Sequence, residues 1–217
     1  MTYIPQAHGM TDDAVRDLVA AVGSGWLVTA SAGTAPSATL LPVLWDDDLV
    51  VAHMAKANSH WREIGDGVPA RLIVTGPEAY VSPSWYASKA EHGRVVPTWN
   101  YVAVQLVGRA RIHRDAAWLR EAVTRLTDRH ERDRVDPWHV DDAPDDYVAA
   151  MLEGIVGIEL RVESVEAKAK LSQNRSAADQ AGVVAGLDGV GEPAARAVAD
   201  AMRSAGTRRA TGAHVSP

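Results

Sequence analysis

The 217-residue sequence contains no cysteine and no phenylalanine. The missing thiols remove cysteine nucleophiles, disulfides and Cys-ligated metals, and fit a reducing compartment. An excess of positive charge is missing as well. Twenty-eight acidic side chains against 22 basic ones give a net charge of -6, so there is no broad footprint for a phosphate backbone and no direct nucleic-acid partner is expected. No apolar run reaches membrane-spanning length, and the N-terminal MTYIPQAHGMTDD lacks a charged stretch followed by an apolar one. A cytoplasmic protein without a membrane partner is expected. The sequence also has no HExxH pair, Walker loop, GxGxxG or nucleophile elbow, which leaves multi-ligand zinc sites and serine-triad chemistry without support. The segment 186–191 (GLDGVG) reads as a Gly-rich linker.

What the chain does have is concentrated between Tyr80 and Tyr101, YVSPSWYASKAEHGRVVPTWNY. Tyrosines and tryptophans are interleaved there with two prolines, hydroxyls, Lys89, His92 and Arg94. This mixture suits a wall for a flat ligand better than a packed strand. The alternative reading is an ordinary hairpin whose tryptophans cap the core.

Around this stretch the pattern is mostly of period two. Thr11 caps a short helix with Val15, Leu18, Val19 and Val22 on one face. Strands are expected at 26–30, 37–45 and 49–54, the last two joined by a solvated turn at Asp46-Asp47-Asp48. Asn58 or Ser59 starts a short helix carrying His60, Trp61 and Ile64. Further strands are expected at 70–75, 98–113 and 154–168, with Gly76-Pro77 turning the chain before the aromatic stretch. Asp115 caps an amphipathic helix with Leu119, Ala122 and Leu126 in its buried stripe. A second helix starts at Asp145, and 191–209 form an Ala-rich helix followed by a frayed tail. Together these elements predict an α+β protein, a small six-stranded barrel with peripheral helices, organised as a domain over 1–187 and a C-terminal helix and tail over 188–217.

Among the eight histidines, His53, His60 and His92 lie in segments that the strand order brings towards one end of the barrel. A haem needs one protein ligand, which makes His60 the candidate metal ligand and His53 the second choice. Lys89, Arg94, Lys170 and Arg175 are candidates for an anionic cofactor tail or a carboxylate.

The segments GPEAYVSPSWYASKAEHGRVVPTWNYVAV (76–104), LTDRHE (126–131), GIVGIEL (154–160) and KLSQNR (170–175) resemble the PaiB family. The resemblance runs from about Tyr3 to Leu187. It implies an FMN-binding split barrel that forms a homodimer with cofactor sites at the subunit interface. Three positions depart from the family pattern. Leu40 stands where Ala-Thr-His-Leu-Pro has its His, His60 replaces the residue before Trp61, and Ala169 replaces a Trp. These departures resemble the piperazate synthases, a haem-dependent branch that closes N5-hydroxy-L-ornithine into L-piperazic acid by forming an N–N bond. On that reading the cofactor is haem b with His60 as its ligand, the partner is an amino-acid substrate, and Glu91 or His92 is the catalytic base. The alternative is an FMN-binding regulator or flavin sensor. There the backbone N–H groups after His53, with Lys56 and Asn58, take the phosphate, and Trp85 and Trp99 border the ring; Trp61 and Ser82 are further cofactor-binding candidates.

Overall fold

Side chains alternate across the sheet in the first half of the chain. Leu27 and Thr29 from β1 (Ser24–Thr29), Leu41 and Val43 from β2 (Ser37–Asp46), and Val50, Ala52 and Met54 from β3 (Leu49–Ala55) are all buried. β1 and β2 form one hairpin, with Trp26 opposite Leu40 and Leu27 opposite Thr39. β2 and β3 form the next, with Asp46 opposite Leu49. The acidic triplet is the turn between them, and Asp47 adopts a φ of 47° there, a left-handed conformation that Asp tolerates in turns.

The computed structural model describes residues 3–30, 33, 35–65 and 67–212, with side chains through residue 206. Three long strands complete the sheet: β4 (Val68–Val81), β5 (Thr98–His113) and β6 (Ile155–Lys170). β1 pairs antiparallel with β4, and β3 with β6. The ring closes in the order β1-β2-β3-β6-β5-β4, which is the six-stranded barrel expected from the sequence. Gly76 and Pro77 do not turn the chain as expected but lie within β4. A proline ends a strand only where a neighbour needs its N–H.

The chain divides into two compact units. One, residues 12–74 and 104–166, contains α1 (Asp12–Val22), β1 to β3, α3 (Ala116–Glu131) and α4 (Asp145–Glu153). Asp115 caps α3 as the sequence predicts, accepting from the Trp118 N–H at 2.9 Å. Leu119, Val140, Val148 and Leu152 form the apolar cluster that holds α3 and α4 together. The other unit, residues 1–11, 75–103 and 167–217, contains α2 (Ser88–His92), α5 (Ala177–Val190) and α6 (Pro193–Gly212). The boundary expected at 187/188 therefore falls inside α5, and the supposed Gly-rich linker includes that helix's last turn. The helix expected to stop at residue 209 continues to Gly212. The frayed tail expected after it, and His214, lie outside the described residues. No helix among the described residues is long and apolar enough to cross a membrane.

Glycines occur inside α5 because a ring must fit there. A Cβ on Gly186 would stand 2.3 Å from the Trp85 ring, and one on Gly182 would stand 2.0 Å from the Trp85 carbonyl oxygen. Spaced one helical turn apart, the two glycines cut a groove that receives Trp85. Glycine composition suggested a linker, but here it marks close packing.

Candidate functional site

In the barrel unit of residues 12–74 and 104–166, the chain leaves β3 and enters a short 3-10 turn, Ser59–Arg62. Asn58 caps it, its side-chain oxygen accepting from the His60 N–H at 3.0 Å while its amide donates to Thr39 Oγ1 at 3.2 Å. The turn directs His60 inward, where it is only 3% exposed. Its Nε2 lies 2.9 Å from Thr29 Oγ1 and its Nδ1 lies 2.8 Å from Thr39 Oγ1. In the neutral ring one nitrogen donates and the other accepts, so the single available lone pair is taken up by a threonine hydroxyl. Burial pushes the imidazole below its ordinary pKa, with Glu63 pulling weakly the other way. As an axial ligand, His60 would have to surrender one of these hydroxyl contacts. It is better described as a clasp between β1 and β2.

Two of the three departures from the family pattern, at Leu40 and His60, can be placed on the sheet. Thr39 faces inward to His60, so its neighbour Leu40 faces the other side of the sheet, where it is 53% exposed opposite Trp26. Leu40 and His60 therefore lie on opposite faces of the sheet within one chain. His53 sits in β3 opposite Gly157. Its Nδ1 is buried without a partner among the described residues, and burial lowers its pKa. No group of three or more His, Asp or Glu able to hold a metal occurs among the described residues.

Lys56 is occupied, with its ammonium donating to the Glu153 carbonyl. Its own carbonyl accepts from the Trp61 indole N–H at 2.9 Å, which fixes the ring. Two guanidinium groups sit on that ring: Arg62 at 4.9 Å and Arg114 at 4.8 Å from its centroid. Neither has an ion-pair partner among the described residues. Arg114 also lines two clefts, one of about 450 Å³ with Arg111 and His113 and one of about 410 Å³ with Lys56 and Arg120. Sequence reading missed Arg62 and Arg114. The available signal was their placement, one beside Trp61 and the other just past the end of β5.

In the other unit, Ser82 caps a 3-10 turn by accepting from the Ser84 N–H at 3.2 Å, and Lys89 donates to Ser84 Oγ at 3.1 Å. Trp85 packs against α5 through the glycine groove, so that face of its ring is closed to a flavin. Trp99 is available: it is 47% exposed and meets Tyr80 edge to face at 6.3 Å. Glu91 and His92 are exposed on α2. His92 Nδ1 accepts from the Arg94 backbone N–H at 3.0 Å, and no side chain among the described residues hydrogen-bonds Glu91 or His92. Lys170 donates to Thr98 Oγ1 and, at 2.8 Å, to the Trp99 carbonyl. Arg175 stacks over Tyr86 at 4.6 Å. Asp179, buried, holds the start of α2 by accepting from both Ser88 N–H and Ser88 Oγ at 2.9 Å. The Ser88 backbone N–H is the first cause of its carboxyl lying below the usual range.

Residues 2–164 match the family model described as "Putative FMN-binding domain". Over 206 residues the chain is 33% identical to the Bacillus subtilis protein named protease synthase and sporulation protein PAI 2, covering 92% of this chain and 96% of that one. An uncharacterised protein of Emericella nidulans is 31% identical over 180 residues, 71% of this chain and 72% of that protein. Among solved structures, an FAD- and haem-binding protein of Mycobacterium smegmatis superposes with a TM-score of 0.59 at 16% identity, covering 81% of this chain and 79% of that one. A conserved hypothetical protein of Mycobacterium tuberculosis gives 0.55 at 13% identity, with coverages of 80% and 92%. At these identities the superpositions establish the fold alone, whereas the sequence matches establish kinship: the chain belongs to the PaiB-type family of FMN-binding split barrels.

Proposed function

We propose that the protein binds FMN and acts as a flavin-dependent regulator or sensor, with the phosphate held by Arg62 and Arg114 on Trp61. The observation that carries this reading is the pair of guanidinium groups on one indole without an ion-pair partner among the described residues. A guanidinium matches a phosphate by a two-pronged contact, and two of them suit a dianion. Lys56 and Asn58, the residues first expected in this role, already hold a backbone carbonyl and the His60 turn. The name of the B. subtilis relative, which refers to protease synthesis and sporulation, favours regulation over a metabolic role. The net charge of -6 favours action through a protein partner over direct contact with DNA.

The rival reading, a haem-dependent cyclase acting on N5-hydroxy-L-ornithine, needs a free axial ligand, and both nitrogens of His60 are hydrogen-bonded. The test is a titration of FMN and riboflavin, with an absorption spectrum of the protein as purified. FMN should bind more tightly than riboflavin, and the Arg62→Ala/Arg114→Ala pair should weaken FMN at least about tenfold while leaving riboflavin unchanged. Equal binding of the two flavins would remove the phosphate assignment. A Soret band that shifts on reduction would restore haem, with His53 as the next ligand to mutate.

We also propose a homodimer. Trp26 (45% exposed) and Leu40 (53% exposed) are cross-strand partners, and Ile73 pairs with Trp26 on its other side. This apolar row on the sheet surface is the kind a second copy covers. Trp26→Glu should convert a dimer to a monomer in sedimentation. A wild-type monomer, or a variant that stays dimeric, would refute this face as the interface.

A further inference from the structure

A cleft of about 340 Å³ opens between α1, β2 and the end of α3, all within the barrel unit of residues 12–74 and 104–166. Three guanidinium groups line it: Arg16 from α1, Arg129 from α3, and Arg132 just past that helix. Arg16 lies 4.1 Å from the Trp45 ring centroid and donates to the Asp47 carbonyl at 2.7 Å. Arg129 donates to the Ala20 carbonyl, in the last turn of α1, at 2.8 Å. These bonds orient the two groups without cancelling their charge, and neither has an ion-pair partner among the described residues. The Arg132 side chain meets only Asp133 there, at 3.4 Å with both more than half exposed, a contact of little strength. Asp46, the one carboxylate in the lining, is already paired with Arg125 at 3.1 Å. Positive charge is therefore in excess in this cleft, although the protein as a whole carries a net charge of -6. Trp45 also lines the cleft, and its indole N–H is buried with no hydrogen-bond partner among the described residues. Buried donors in folded proteins nearly always meet an acceptor.

We infer that this cleft binds a phosphate dianion, free or carried on a small organic group. Phosphate offers several oxygens and close to two charges, which converging guanidinium forks can share. Apolar neighbours in the lining, Val19 and Val43, lower the local dielectric and strengthen each contact. The volume lies at the small end of the range for organic ligands, which limits the attached group. The site shares no residue with the guanidinium pair on Trp61 and does not rest on flavin binding.

The experiment is calorimetric titration of the full-length Arg62→Ala/Arg114→Ala protein, which removes the other candidate phosphate site. The ligands are inorganic phosphate, glycerol 3-phosphate, malonate and acetate at constant ionic strength. One equivalent of phosphate should bind, at least about tenfold more tightly than malonate or acetate. Adding Arg129→Gln or Arg132→Gln should weaken it about tenfold. Arg196→Gln, a change of equal charge at an exposed position of α6, should leave it unchanged. Arg132 bonds no other element, so its variant keeps the test decisive if Arg129→Gln loosens α1. Glycerol 3-phosphate binding at least as tightly as phosphate would assign an ester as the ligand, and weaker binding would assign the free ion. Malonate matching phosphate would overturn the phosphate assignment. An absence of saturable binding would overturn the site, and so would binding that Arg129→Gln and Arg132→Gln weaken no more than Arg196→Gln does.

Discussion

The two units use their polar side chains differently. In the barrel unit, the polar side chains around His60 are paired internally: His60 with Thr29 and Thr39, and Asn58 with the His60 N–H and Thr39. In the unit built on α2, α5 and α6, Asp179 is paired in the same manner, yet Lys168, Lys170 and Arg175 are left without ion pairs among the described residues. A paired buried group contributes to stability, and an unpaired one costs it. The difference therefore separates residues that build the fold from residues that can meet something outside it. By that criterion His60, held by Thr29 and Thr39, groups with the residues that hold the fold together, and Arg62 and Arg114 are the candidates for a partner from outside.

The largest test of this contrast concerns packing in the second unit. Gly186→Val puts a branched side chain where even a Cβ comes within 2.3 Å of the Trp85 ring, and should cost about 3 kcal/mol in urea unfolding. A loss below about 1 kcal/mol would mean that Trp85 can leave the groove and is free for a ligand after all. Thr29→Val comes next. It strands His60 Nε2 in the core and should cost about 1–3 kcal/mol.

The same histidine carries a pH signature. Its folded-state pKa is lowered, so its stabilising contribution is present above the ordinary imidazole value of about 6.5. That contribution is lost as pH falls through the lowered folded value. His53, lowered by burial, acts in the same direction. Urea midpoints from pH 7.5 down to 5 should fall, and fall less steeply in His60→Gln. Identical slopes would show that the His60 pKa is not lowered in the folded protein.

The barrel was legible in the sequence because alternation is a local signal: β1, β2 and β3 stand within a residue or two of where period two places them. The Asp115 cap and the acidic turn were legible for the same reason. What failed was whatever depended on contacts distant in sequence. α5 was unreadable because its glycines answer to Trp85, about a hundred positions away, and not to their own neighbours. His60 looked like a ligand because nothing near it in sequence announces Thr29 and Thr39, 31 and 21 residues upstream. Arg114 was passed over because its partner Trp61 lies in an earlier element. Glu91 and His92 had the right chemistry in a promising stretch, but among the described residues neither has a side-chain hydrogen-bond partner, which sequence alone does not show.

Thr39 and Leu40 are adjacent residues on opposite sides of one sheet, and this bears on how changes at 40 and 60 combine. Within one chain the side chains at 40 and 60 share no partner, because His60 meets Thr39 and Thr29 while Leu40 lies on the exposed face. Their effects on stability should therefore add without coupling. What looks along the sequence like one relocated imidazole is, on this geometry, two independent positions.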